Sequence, residues 1–209
     1  MTRRFVFVGG HATASDDFLL DDLPGTSGRL DVGLRCVRAA LLVSHGLRRD
    51  VVVYLVLRGG PRAPRVLRFS GSDARFIRPD ERSLAVLAKK ALASQADEAA
   101  SGFVEVKPGI GVACRGLEAV LEDLGAATLH ILEEGAPDVR DAPGLGDADT
   151  AFFLGDHVGF DAATRAQLAA VGARPLGVGP VAVQAEDAIT LVSNELDRRE
   201  WRRAGSLPS

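Results

Sequence analysis

A chain of 209 residues with 46% hydrophobic and 25% charged residues is long enough to bury a core of its own. Its formal net charge of −3 excludes a protein that grips nucleic acid by bulk charge, although a local basic face stays open. No apolar run reaches the roughly 18 residues of a membrane span, nothing leader-like opens the chain, and Cys36 and Cys114 lack metal-ligand spacing. The expectation is a soluble cytoplasmic protein with reduced thiols and no metal.

The first element is a short strand, RFVFV (Arg4–Val8), halted by Gly9-Gly10. His11–Gly28 follows as a long loop rich in Asp, Ser, Thr, Gly and Pro around one apolar patch, Phe18-Leu19-Leu20. Leu30, Leu34, Val37, Leu41 and Leu42 then recur at helical spacing, which predicts an amphipathic helix over Arg29–Ser44 with Ser27 as its N-cap. After a charged turn, the β-branched run VVVYLVL (Val51–Leu57) reads as a strand buried on both faces.

RVLRFS (Arg65–Ser70) alternates like a half-exposed strand, and PDER (Pro79–Arg82) starts a helix whose buried face carries Leu84, Leu87, Ala88, Ala91 and Leu92. Ser94–Gly102 is a loop or frayed helix end, and Phe103–Val106 and Ile110–Ala113 are strand candidates. Leu117–Leu124 is a helix stopped by Gly125, and TLHIL (Thr128–Leu132) is a third buried strand. A Pro/Gly/Asp-rich loop, Ala136–Asp149, leads to the strand Ala151–Leu154, the helix Asp161–Val171, the strand Arg174–Val178 and the helix Val183–Arg199. Strands alternating with helices predict an α/β fold around a mostly parallel sheet with helices on both faces. Without a polar linker between two cores, residues 1–209 read as one domain.

Several function classes leave no mark. There is no GxGxxG after the first strand, no Walker A, no HExxH and no GxSxG elbow. His11, His45, His130 and His157 are dispersed. Two strand ends, however, run into glycine loops, at Gly155-Asp156-His157 and at Gly177, Gly179 and Pro180, and such backbone can approach a ligand closely. Glycine used there for turn geometry alone is the competing reading. Arginines cluster in the N-terminal half, where planar guanidiniums would suit phosphates. Interleaved Asp21, Asp22, Asp31 and Asp50 equally permit a solvated, self-neutralised face.

The segments DDLPGTSGRLD (Asp21–Asp31), RCVRAALLVSHGLRRDVVVY (Arg35–Tyr54), PDERSLAVLAKKAL (Pro79–Leu92), FLGDHVGF (Phe153–Phe160) and AITLVSNELD (Ala188–Asp197) together resemble the archaeal tRNA (pseudouridine-54-N1)-methyltransferases, of the SPOUT or α/β-knot superfamily. The resemblance covers essentially the whole chain and weakens only in loops 94–102 and 136–149. It implies a homodimer that uses S-adenosylmethionine to methylate N1 of a pseudouridine in the tRNA T-loop. It also implies a trefoil knot in a cofactor-binding part at about 126–200, one of the rare threaded topologies.

Carried over residue by residue, the resemblance places the cofactor against Leu129, Gly155, the loop Val178, Gly179, Pro180, Val181, Ala182 and Val183, and Ala188, which stands where some members have a cysteine. Asp31, Arg29 and Asp80 become candidates for handling the N1 proton and imide charge, each with a competing role as cap or ion pair. Arg35, Arg48, Arg49 and Arg82 become candidates for RNA contact. Two alternatives stay open: a SPOUT methyltransferase acting on another RNA, such as a ribosomal pseudouridine, and a non-catalytic RNA-binding dimer.

Overall fold

The computed structural model describes residues 1–94, 102–156 and 158–205. The chain begins with β1 (Arg3–Thr13), a one-turn α1 (Leu23–Thr26), α2 (Leu30–Leu41) and a small hairpin, β2 (Leu42–Val43) and β3 (Gly46–Leu47). Next come β4 (Val51–Gly59), β5 (Arg65–Ser70), α3 (Glu81–Ala93), β6 (Val104–Lys107) and β7 (Ile110–Ala113). The C-terminal part comprises α4 (Leu117–Leu124), β8 (Thr128–Leu132), β9 (Thr150–Gly155), α5 (Ala162–Ala170), β10 (Arg174–Leu176) and α6 (Ala185–Ala204).

One eight-stranded sheet runs β10-β8-β9-β1-β4-β5-β7-β6. The five strands from β10 to β4 pair in parallel, and β5, β7 and β6 extend the sheet antiparallel. The α/β expectation therefore holds, with the parallel part gathering five strand ends along one edge of the fold.

Period-two alternation sorts the core into two layers. Phe5, Phe7, Val53, Leu55, Phe152 and Leu154 face α2, α3 and α6. Val6, Val8, Tyr54, Val56 and Phe153 face α4 and α5. Phe5 and Phe152 stack at 5.4 Å between ring centroids, joining β1 to β9 across their parallel pairing. Truncating either ring to alanine would cost about 3–5 kcal/mol.

Departures from the sequence expectations have local causes. β1 continues past Gly9-Gly10 to Thr13, with a register irregularity between Gly9 and Thr13, so the expected loop starts later. Its C-terminal part is walled by glycines: a Cβ on Gly28 or Gly59 would lie 1.9 or 2.1 Å from the His11 carbonyl oxygen. Gly28 and Arg29 both take left-handed backbone, with φ of 59° and 71°. That turn puts Arg29, rather than Ser27, at the N-cap of α2. Ser27 is still used, because its Oγ accepts the Leu30 N–H at 3.1 Å. α2 stops at Leu41 because Leu42 and Val43 pair with Leu47 and Gly46. The expected loop or helix end at 95–101 and the His157 side of the Gly-Asp-His turn lie outside the described residues.

The two ends of the chain are fastened by one side chain. Arg3 is 1% exposed and pairs with Asp50 at 2.9 Å, with Glu200 at 2.8 Å and with Asp197. Arg48 meets the same Asp197 carboxylate with two hydrogen bonds, at 2.8 and 2.6 Å. Burial of a guanidinium is tolerable only with such neutralisation.

Candidate active site

Open parallel sheets present crevices at the carboxyl ends of their strands, where backbone stops pairing and loops diverge. Here the ends of β8 and β9, the loop after β9, the approach to α6 and the start of α2 enclose a cleft of about 1010 Å³. Leu132, Leu154, Phe160, Val183 and Ala188 give it apolar walls. Charged groups from both sides line it too: Arg29, Arg35, Glu133, Glu134, Asp156 and Glu186.

Asp156 fixes the loop that forms one wall. Its carboxylate accepts the Val158 N–H and the Gly10 N–H, each at 2.9 Å, so the turn after β9 is tied to the turn inside β1. The same loop explains Gly155. A Cβ there would meet the Gly159 backbone at 2.9 Å, so the glycine is required for the loop to fold back on its own strand.

The opposite wall is an ion-paired relay. Asp31, 1% exposed in the first turn of α2, receives Arg29 Nε at 3.1 Å and Arg35 Nη1 at 2.8 Å. Arg35 Nε then reaches Glu186 Oε1 in the first turn of α6, at 2.7 Å. Burial alone would raise the Asp31 carboxyl, but the hydrogen bonds from Arg35 and Arg29 with their charges outweigh it and hold it below the usual carboxylate range. Glu186 Oε2 is buried without a hydrogen-bond partner among the described residues, a condition that asks for a donor.

Of the residues proposed for the cofactor, Gly155, Ala182, Val183 and Ala188 line this cleft. Leu129, Val178, Gly179, Pro180 and Val181 do not. Leu129 is the second residue of β8, paired with Ala151, and packs on the α4/α5 side of the sheet. The residue at the strand's end is Leu132, and it occupies the lining place. Three residues span about 10 Å in a strand and an odd step changes face, so the displacement matters. Gly179 has φ of 150° with open space around its Cβ direction, and Val181 is exposed. Of the residues proposed for chemistry, Arg29 reaches the cleft, Asp31 stands directly behind it, and Asp80 caps α3 by accepting the Ser83 N–H at 2.8 Å, away from the cleft lining.

The family of SAM-dependent RNA methyltransferases matches residues 2–201. The chain belongs to this family. The tRNA (pseudouridine(54)-N(1))-methyltransferase of Methanosarcina acetivorans is 40% identical over 208 residues, covering 99% of this chain and 95% of the relative. The enzyme of the same name from Halobacterium salinarum is 42% identical over 197 residues, covering 93% of this chain and 96% of the relative. Archaeoglobus fulgidus Nep1 bound to S-adenosylhomocysteine shares the fold, with a TM-score of 0.66 at 15% identity over 96% of this chain and 99% of that one.

For a SAM-dependent methyltransferase the cleft has suitable chemistry. Adenine needs an apolar slot, which Leu132, Leu154 and Val183 offer, and ribose hydroxyls and an ammonium group need acceptors, which Glu133, Glu134 and Asp156 offer. The unpartnered Glu186 oxygen adds an acceptor. Ala188 is 6% exposed in the first turn of α6 and presents a methyl group, so no thiol acts there. Glu186, Asp156 and Leu132 were not singled out from the sequence. For the first two the signal was present, as an acid in the first turn of the terminal helix and as the Asp of the Gly-Asp-His turn.

The arginines expected at RNA are largely spent within the chain. Arg35 holds Asp31 and Glu186, Arg48 holds Asp197, and Arg82 pairs with Asp21. Arg49 Nη1 donates to the Gly71 and Ala74 carbonyls at 2.9 and 3.0 Å. Among the described residues no group of His, Cys, Asp and Glu is arranged to hold a metal ion, and no helix is long and apolar enough to cross a membrane.

Proposed function

We propose that this protein methylates N1 of pseudouridine at position 54 in the tRNA T-loop, using S-adenosylmethionine. The observation that carries this reading is near-full-length identity of about 40% to enzymes of that name, combined with a strand-end cleft whose walls suit the cofactor. Bound there, S-adenosylmethionine supplies an already electrophilic methyl group. What remains for the chain is to orient the base, exclude water and manage one proton.

Arg29 is the cation best placed for the imide. It lines the cleft, its side chain is 51% exposed, and Asp31 holds its Nε in a fixed direction. A guanidinium there favours the imide in its ionised form, which is the nucleophile. Asp31 acts as a positioning residue for Arg29 and Arg35, since both its oxygens are already hydrogen-bonded. Glu186 is the carboxylate we assign to the N1 proton, directly or through water, because one of its oxygens is paired and the other is vacant.

The working unit in this reading is a homodimer in the cytoplasm, with an isologous interface, and the C-terminal segment is threaded as a knot. Exposed apolar residues on and before α6, Val181, Val183 and Leu191, support a partner surface. For the threading, the support is that residues 138 and 139 pair with Gly177 beyond β10 before α6 turns back onto α2. Sedimentation at micromolar protein should give twice the chain mass.

The deciding experiment is nucleoside mass spectrometry of pseudouridine-containing tRNA incubated with the purified protein and S-adenosylmethionine. It should yield 1-methylpseudouridine, and tRNA with uridine at position 54 should yield none. Methylation of ribosomal RNA alone would transfer the reading to a different substrate.

A further inference from the structure

A second cavity, of about 1260 Å³, adjoins the cofactor cleft along α2 and α6. Arg35 and Glu186 line both cavities, so their ion pair is the wall between them. The second cavity also contains Phe76, the most exposed large apolar side chain among the described residues, at 88%. Its φ of 57° lies in the left-handed region that bulky residues avoid. Strain of this kind persists only where the surroundings enforce it.

The surroundings do enforce it. Ala74 and Ile77 on either side are buried, Ala74 N–H donates to the Ser70 carbonyl at 2.9 Å, and Arg49 Nη1 clasps the Gly71 and Ala74 carbonyls. Gly109 packs against Ala74 so closely that a Cβ would sit 2.3 Å from its nitrogen. The loop is thus pinned at both shoulders and the ring is held out into solvent. Around it, Arg38 and Arg75 have no partner among the described residues, and Arg49 bonds only to carbonyls. Three guanidiniums without carboxylates therefore border an exposed aromatic, against two acids on this lining, Glu186 and Asp187.

Chemistry on a base inside a folded RNA requires taking that base out of its stack, and the cost falls when a protein ring replaces the lost neighbour. We propose that Phe76 is a base-stacking platform: an unpaired base of the RNA loop lies on its ring, while Arg38, Arg75 and Arg49 hold the flanking phosphates. The loop is thereby held beside the Arg35–Glu186 wall, past which the target base reaches Arg29 and the methyl donor in the cleft. This rests on the tRNA-methyltransferase reading and adds the residue that positions the substrate. An arginine-bordered aromatic in a groove is a general solution for single-stranded nucleic acid.

The test uses the full chain and a pseudouridine-containing T-arm RNA carrying a fluorescent base analogue in the loop. Phe76→Ala should weaken RNA binding about tenfold or more, as loss of one stacking contact does. Phe76→Trp should restore it, with quenching of the analogue on binding. Phe76→Gly should bind as weakly as the alanine variant while its Tm stays unchanged or rises, because glycine accepts the left-handed backbone. S-adenosylhomocysteine affinity by calorimetry and the sedimentation mass should not move. Wild-type RNA affinity in Phe76→Ala overturns the proposal. So does a fall in sedimentation mass that accounts for the lost affinity, which would assign the ring to a second copy of the chain. Methylation of the same RNA by the wild-type protein, read by mass spectrometry, reports separately on the underlying function.

Discussion

The two cavities that share the Arg35–Glu186 wall are built by opposite means. The cleft proposed for the cofactor is made where strands end, from turns, small residues and short apolar side chains, and its shape depends on backbone fitting against backbone. The Phe76 groove is made of long side chains on the outside of α2 and of one pinned loop, and its character depends on which guanidiniums are left unneutralised. A site of the first kind fails by steric change, and a site of the second kind fails by loss of a single group. Variants on each side of the wall should therefore behave differently.

The largest effect is expected at Gly155. Gly155→Val collides with the Gly159 backbone and should lower S-adenosylmethionine affinity by about 100-fold or more by calorimetry. Gly179→Val has open space and only an unfavourable φ of 150° to overcome, so its loss should be near tenfold or less. Such strain costs of order 1–3 kcal/mol, part of which the loop can relax. Equal losses in the two variants would mean that the cofactor also rests on the Val178–Val181 loop.

Next in size is Asp31→Asn, which leaves two guanidiniums without their shared carboxylate. Single-turnover methylation should fall about 10- to 100-fold, with cofactor affinity nearly kept, as for a group that matters most in the transition state. The sign of its pH response is fixed by the lowered carboxyl. Its ion pairs are present above the unfolded value of 3.8 and are lost only as pH falls through the still lower folded value. A rate change between pH 5 and 8 that disappears in Asp31→Asn would contradict this.

A smaller effect concerns His130 on β8, stacked on Phe152 at 5.8 Å with its Nδ1 buried and unpartnered. Burial, with the nearby Arg174 charge, lowers its pKa below 6.5, so the folded protein keeps it neutral. The unfolded chain takes the proton first, so this contribution is intact above pH 6.5 and declines as pH falls toward the folded value. His130→Phe should flatten the Tm profile across that window.

The smallest effect separates the two kinds of arginine. Arg48→Ala breaks the pairing with Asp197 and should cost about 1 kcal/mol of stability, while the salt dependence of tRNA binding keeps its slope. Arg75→Ala should leave Tm unchanged and reduce that slope by about one. The reverse result would return RNA contact to Arg48.

What was legible in the sequence follows the same division. α4 and β8 were read to the residue, because Gly125 ends one and the TLHIL run defines the other. Apolar periodicity overran α2 into Leu42 and Val43, since a two-residue hairpin continues the apolar pattern without the helix. Of the residues proposed for the cofactor, Gly155, Ala182, Val183 and Ala188 line the cleft, whereas Leu129 lies three positions before the end of β8. The arginines were visible as a cluster, but whether Arg48 faces phosphate or Asp197 depends on a contact across 149 positions of sequence. Phe76 carried no signal, because its exposure is imposed by Arg49 and Gly109 from other elements.

The Arg3 junction makes the first strand and the last helix hold each other in place. Without Asp197 and Glu200 the buried guanidinium would keep only Asp50 and the Ser193 carbonyl, and α6, which lends residues to both cavities, would lose its tie to β1. Shortening the chain before Asp197 should therefore lower Tm and, with it, affinity for S-adenosylmethionine.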